Sequence, residues 1–103
     1  MHNTLLFDFY GELLTERQKE MHQAYFCDDM SLSEVGDKFG VTRQAVNVAL
    51  KETRKKLDAF EEALGLVERH EKAEDALEVV KATLKAKDFE KAQKALEELE
   101  KFI

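Results

Sequence analysis

Apolar residues recur at helical spacing along the whole chain, and short polar breaks divide the pattern into separate helices. The first segment, LLFDFYGELL, contains two sets of apolar positions. Phe7 and Tyr10 lie on one side of the predicted helix, which suggests a second surface to bury. The main stripe lies on the other side and is formed by Leu5, Leu6, Phe9 and Leu13.

Capping sequences mark where the next two helices begin. Capping boxes open at Thr15 (T-x-x-Q) and at Ser31 (S-x-x-E). They predict one helix over about 16–28 and a short one over 32–39. Gly40 follows the short helix and is the expected left-handed residue at its C-terminal end.

A long helix and a helical hairpin complete the pattern. Thr42 is a further N-cap, and no breaker interrupts the chain from Arg43 to Gly65, a length of more than about 30 Å. A three-helix core needs a shorter helix than this. The pattern then predicts two antiparallel helices joined by the turn KAKD, one over residues 66–87 and one that begins at the cap Asp88.

Residues 32–51, LSEVGDKFGVTRQAVNVALK, match the helix-turn-helix template. Gly36 stands where two helices approach closely, so that a side chain there would push them apart. Gly40 supplies the positive φ of the tight turn, and Val41 fills the corner. The inward positions that anchor the two helices are Val35, Phe39, Val46 and Leu50.

The second helix of this motif would expose side chains that reach base edges and phosphates. Free backbone N–H groups at its start could also bind a phosphate. A helix-turn-helix can instead serve as a packing unit or a protein-docking module, and this alternative stays open. The candidate nucleic-acid-binding residues are Thr42, Arg43, Gln44, Asn47, Lys51, Arg54 and Lys55, and Lys56 extends the basic run.

These motifs, with no proline, only four glycines and 37% charged residues, predict an all-α fold. We expect a bundle of three or four helices that contains the helix-turn-helix, a long recognition helix and a C-terminal helical hairpin. The predicted domains are residues 1–65, with the helix-turn-helix, and residues 66–103, with the hairpin as a candidate for oligomerisation.

The net charge of −6 argues at first against a ligand that carries phosphates. Its distribution changes that conclusion. Residues 1–30 carry two basic and six acidic side chains, residues 31–57 six and three, and residues 58–103 eight and thirteen, so that the segment charges are −4, +3 and −5. The basic segment coincides with the helix-turn-helix, which favours weak, local and salt-sensitive binding.

The segments LLFDFYGELLTERQ and SLSEVGDKFGVTRQAVNVALKETRKKLDAFEEALGL resemble the YlxM family of small bacterial proteins, whose helix-turn-helix is similar to region 4 of sigma-70 factors. The resemblance covers about residues 4–66 and includes FDFY, the LT-x-x-Q cap and TRQAV. It implies an accessory or regulatory component of the signal recognition particle pathway. The ligand implied is the RNA of that particle or, as in sigma region 4, duplex DNA, and a signal recognition particle GTPase is a candidate partner.

The sequence offers no catalytic or metal-binding arrangement. His2, His22 and His70 are scattered, without the spacing of metal ligands or of a catalytic triad. No glycine-rich phosphate loop is present, so we expect no enzyme, no cofactor and no metal. Cys27 cannot form an internal disulfide, and we expect it to be a small core or half-buried residue.

Two further expectations concern location and assembly. The N-terminus lacks the pattern of a signal peptide, and no apolar stretch is long enough to span a membrane, which favours a cytoplasmic protein that does not contact membranes. Apolar surface around Phe7, Tyr10 and the hairpin favours a homodimer. The hairpin could instead fold back on the long helix of the same chain.

Overall fold

The computed structural model describes the backbone of residues 2–103 and the side chains of residues 4–103. The described chain is helical throughout and contains no strand, which confirms the all-α prediction. The side chain of His2 lies outside the described part. The elements are α1 (His2–Tyr10), a 3-10 turn (Gly11–Leu13), α2 (Glu16–Phe26), α3 (Leu32–Phe39), α4 (Arg43–Leu64), α5 (Leu66–Lys85) and α6 (Phe89–Glu100).

The four predicted N-caps are confirmed, because each forms a local hydrogen bond. Thr15 and Ser31 both form complete capping boxes. Thr42 Oγ1 accepts from the backbone N–H of Ala45 at 3.1 Å. Asp88 accepts from the N–H of Lys91, also at 3.1 Å.

Two helix ends come earlier than predicted. α2 ends at Phe26 and α5 at Lys85. Asp29 and Lys87 both adopt positive φ, of 59° and 60°, and a left-handed residue close to a helix end stops the helix. Cys27 therefore lies in the turn after α2 and is exposed, so the prediction of a core or half-buried residue is wrong.

The chain forms two compact units, of which the first ends at Leu64. α4 is its central element and packs against α1, α2 and α3. The core of the helix-turn-helix consists of residues from α2, α3 and α4 that are almost fully buried, with partly buried residues such as Phe39, Val41 and Leu50 packed around it. The buried core residues are Met21, Ala24, Val35 and Val46.

The buried face of α1 differs from the predicted stripe. Leu6 and Tyr10 are almost completely buried, whereas Phe9 and Leu13 are exposed. Phe7 stacks on His22 at 4.2 Å, so the apolar surface expected around Phe7 and Tyr10 is covered within the chain. The prediction failed because Tyr10 gains both burial of its ring and a hydrogen-bond partner for its hydroxyl on α4.

The second unit, Gly65–Ile103, is the helical hairpin of α5 and α6. Val80, Ala92 and Ala95 are buried within this unit. Arg69 Nε donates a hydrogen bond of 3.0 Å to the carbonyl oxygen of Phe102, near the end of the chain. Among the described helices, none combines the length and the hydropathy that a membrane-spanning segment requires.

Candidate nucleic-acid interface

The turn between α3 and α4 has the close packing that the sequence predicts. Gly40 adopts a left-handed conformation, with φ of 69°. The carbonyl oxygen of Gly36 accepts hydrogen bonds from the N–H groups of Gly40 and Val41. A Cβ atom on Gly36 would lie 2.7 Å from the carbonyl oxygen of Val41, which is far too close. This local geometry fixes the direction in which α4 leaves α3.

One face of α4 anchors the helix to the first unit. Val46 and Leu57 are fully buried, and Leu50 packs against the core. Thr53 is also buried, and its hydroxyl donates to the carbonyl oxygen of Ala49 at 3.0 Å, so that no polar atom of this side chain is left unsatisfied.

The opposite face of α4 is open to solvent. At 3.6 residues per turn, Gln44, Val48, Lys51 and Lys55 form the row that points directly away from the buried face. All four are exposed, and Val48 keeps 59% of its accessible surface. We call this set the outward row. It presents two cations, an amide and an apolar side chain in one line.

The predicted site residues lie in different surroundings. Arg43 and Asn47 are exposed beside the outward row. Thr42 is exposed as well, although its hydroxyl is used as the N-cap. In the part of the chain that the structure describes, no ion pair forms to Arg43, Lys51 or Lys55.

Two basic residues next to the outward row are already engaged. Arg54 Nε binds Asp58 Oδ1 at 3.0 Å, within α4. Lys56 is half-buried and donates to Gln18 Oε1 on α2 at 3.2 Å. The local positive charge that is free to meet a ligand therefore comes mainly from Arg43, Lys51 and Lys55.

The charges of α4 run against its helix dipole. Arg43 occupies its first turn, and Glu61 and Glu62 occupy its last. The N-terminus of a helix is partially positive and its C-terminus partially negative, so this order is unfavourable. Helix stability gives no reason for Arg43 in the first turn of α4, whereas an anionic ligand would. The other helices that follow α1 have the favourable order at their N-termini, with Glu16, Glu34, Glu68 and Glu90 in their first turns.

Sequence reasoning missed two aromatic residues beside the basic run. Tyr25 and Phe26, at the end of α2, line an open cavity of about 200 Å³ with Asn47, Lys51 and Arg54 of α4. Phe26 is 51% exposed. The cavity exists only because α2 packs beside α4, and nothing in the local sequence around Phe26 indicates that neighbour.

A buried histidine lies behind this cavity. His22 is 7% exposed, and its Nδ1 has no hydrogen-bond partner among the described residues. Burial lowers the pKa of His22 below the 6.5 of an exposed histidine. The ring lies between Phe7 and Phe26, with centroid distances of 4.2 and 4.6 Å, so it packs as a neutral aromatic group.

Comparison with known proteins agrees with this geometry. A family model described as "UPF0122: Putative helix-turn-helix protein, YlxM / p13 like" matches residues 1–99. A UPF0122 protein of Symbiobacterium thermophilum is 42% identical over 92 residues, which cover 89% of this chain and 86% of the relative.

Other relatives match at similar levels. A UPF0122 protein of Listeria innocua is 40% identical over 97 residues, covering 92% of this chain and 88% of the relative. One from Thermoanaerobacter sp. is 44% identical over 78 residues, covering 76% of this chain and 67% of the relative.

Proposed function

This chain belongs to the UPF0122 family of YlxM/p13-like helix-turn-helix proteins, and on that basis we propose that it is a non-enzymatic nucleic-acid-binding protein that uses the exposed face of α4. The residues proposed to touch the ligand are the outward row with its neighbours Thr42, Arg43, Asn47 and Arg54.

The observation that carries this proposal is the stretch of α4 from residue 43 to 56, which has five basic residues and one acidic one on an otherwise acidic chain, and whose first turn places a cation against the helix dipole. Arg43, Lys51 and Lys55 are exposed and not engaged in ion pairs among the described residues. Neutralising phosphates releases condensed counterions, and this release drives most nucleic-acid binding. A cluster of this size fits contact with few phosphates.

Two polymers are proposed as ligands. The RNA of the signal recognition particle is the first, because the resemblance to YlxM proteins implies a regulatory or accessory role in that pathway. Duplex DNA is the second, because a helix-turn-helix places its second helix in a major groove. Both present phosphates to the same three cations.

The test is a titration of the full chain against labelled signal recognition particle RNA and a labelled DNA duplex at several salt concentrations. We expect the logarithm of the affinity for DNA to fall linearly with the logarithm of salt concentration, with a slope of about −3 for three neutralised phosphates. Absence of salt-dependent binding to both polymers would overturn the proposal.

A matched pair of variants assigns the binding to α4. Changing Arg43, Lys51 and Lys55 together to Ala should abolish binding and leave the helix content unchanged. The control changes three exposed hairpin lysines to Ala, which alters the net charge by the same amount. Loss of binding in both variants would show that overall charge, and not α4, governs affinity. The control residues are Lys81, Lys85 and Lys94.

The hairpin supports a second candidate function, docking to another protein. Leu84, Phe89 and Leu96 keep 48%, 68% and 45% of their accessible surface. Phe89 and Leu96 are seven residues apart and so share one side of α6. We propose a second copy of this chain as the occupant, and a signal recognition particle GTPase as the competing one.

The molecular mass of the protein in solution decides between a second copy of this chain and the GTPase as the occupant of this surface. A dimer that dissociates when Phe89 and Leu96 are changed to Ser supports self-association through α6. A monomer at micromolar concentration refutes the homodimer. Binding of the GTPase to that monomer, lost in the same double variant, would assign the surface to the GTPase.

A further inference from the structure

We propose that the cavity between α2 and α4 binds one unpaired nucleotide, whose base stacks on Phe26 and whose phosphate is bound by Lys51 and Arg54. This inference rests on the proposed nucleic-acid binding and specifies the form of the ligand. A single-stranded or looped RNA segment offers such a nucleotide.

The aromatic wall of the cavity is exposed and held in a fixed orientation. Phe26 stays 51% exposed although it lies next to the core. The ring of Tyr25 meets it edge to face at 4.9 Å, and the ring of His22 lies 4.6 Å away on another side. Because these neighbours restrain the ring of Phe26, little conformational entropy is lost when a base stacks on it.

The polar side of the cavity has the groups that a nucleotide needs. Asn47 offers both a donor and an acceptor to a base edge. Lys51 and Arg54 lie at the same cavity, and no carboxylate is among the residues that line it. Asp58 occupies only Nε of Arg54, so the two Nη groups of the guanidinium are left to bind a phosphate.

The aromatic wall favours an unpaired nucleotide over a paired one. Both faces of a base inside a duplex are covered by its neighbours, so it cannot stack on a side chain unless it leaves the helix. In RNA, the major groove of a paired stem is too narrow for side chains to read, and proteins recognise splayed bases by stacking them on aromatic rings. Stacking and cationic contacts together are the usual means of binding single strands.

The chain has no tryptophan, which allows a direct test. In Phe26→Trp the sole indole would lie in the cavity and keep an aromatic face. The probes are an RNA hairpin with a seven-nucleotide loop, the same RNA fully paired with its complement, and a DNA duplex of the same sequence. We expect the hairpin to quench the indole fluorescence at saturation and both duplexes to leave it unchanged.

Affinity measurements with a non-aromatic variant complete the test. Phe26→Leu keeps an apolar side chain and should weaken binding of the RNA hairpin roughly tenfold, while binding of the two duplexes stays unchanged. Phe9→Leu makes the same chemical change at an exposed position on α1 and should have no effect. Should Phe26→Leu lose helix content, the quenching result with Phe26→Trp decides alone.

The outcomes separate this inference from the broader proposal. If the wild-type protein binds none of the three probes, nucleic-acid binding itself is wrong. If the protein binds the probes with salt dependence but prefers a duplex, the nucleotide cavity is wrong and the broader proposal stands. The same conclusion follows if Phe26→Leu keeps full affinity for the RNA hairpin and the indole of Phe26→Trp is not quenched.

Discussion

The hydroxyl of Tyr10 donates a hydrogen bond of 2.6 Å to Oε1 of Glu61, 51 residues further along the chain. Tyr10 is 1% exposed, and its ring also lies 6.0 Å from that of Phe60. This pair joins the end of α1 to the last turn of α4. The C-terminal half of the long helix is thus held by α1, while its N-terminal half is held by the helix-turn-helix core.

We expect Tyr10→Phe to lower the free energy of unfolding by about 1.5 kcal/mol, because a hydrogen bond to a charged acceptor is lost and the ring remains. Urea denaturation of Tyr10→Phe, Glu61→Gln and the double variant measures the coupling between the two residues. Strictly additive effects of the two single changes would show that this hydrogen bond contributes no stability.

Gly36 and Gly40 should respond differently to Ala. At Gly36 the added Cβ meets the backbone of Val41 at 2.7 Å, and we expect a loss of about 2 kcal/mol because the turn must move. At Gly40 no atom lies within 4 Å of the added Cβ, and only the φ of 69° opposes the change. A loss of about 1 kcal/mol is expected there.

Denaturation of the two variants gives the comparison, and Gly40→Asn serves as a control because Asn tolerates the left-handed region better than Ala. A Gly40→Ala variant less stable than Gly36→Ala would contradict the steric argument for the turn.

Stability should fall on acidification because of His22. Burial lowers its pKa in the folded chain below 6.5, whereas in the unfolded chain it titrates near 6.5. Below that pH the unfolded state binds more protons than the folded state. The free energy of unfolding therefore decreases as pH falls through the interval from 6.5 to the lowered pKa, and the full stability is present above 6.5.

The change His22→Phe should reduce the dependence of stability on pH between 7.5 and 5.5, since the titrating group is replaced by an apolar ring beside Phe7 and Phe26. His70→Gln is the control. Equal pH dependence in His22→Phe and the wild type would contradict the assignment to His22.

Asp58→Asn should strengthen nucleic-acid binding. The carboxylate now binds Nε of Arg54 at 3.0 Å and partly neutralises a cation of the proposed site. We expect a gain of about threefold at low salt that disappears at high salt, as exposed charges are screened. Asp75→Asn on α5 makes the same change in net charge. An equal gain in both variants would assign the effect to overall charge.

Much of the fold could be predicted because its determinants are local. A cap such as Ser31 or Thr42 needs only backbone groups three residues away, and Gly40 needs only its own φ. The close approach at Gly36 depends on a turn five residues later and follows from the motif. These features act within one or two helical turns, the range in which sequence spacing determines geometry.

The predictions that were wrong or incomplete concern contacts between segments that are distant in sequence. Spacing alone could not decide whether α1 buries Phe9 or Tyr10, because the deciding contact is with Glu61. The cavity at Phe26 depends in the same way on Lys51 and Arg54. The site residues on α4 could be proposed from the motif, whereas the neighbours contributed by α2 could not.

The division of charge along α4 also affects how fast a ligand arrives. Arg43 lies at the N-terminal end of α4 and Glu62 near its C-terminal end, so an approaching polyanion is attracted by the first and repelled by the second. Such steering speeds association, while dissociation depends on the short-range contacts. Added salt should therefore slow association with the ligand far more than it speeds dissociation of the complex. The direction of approach is selected before any contact forms.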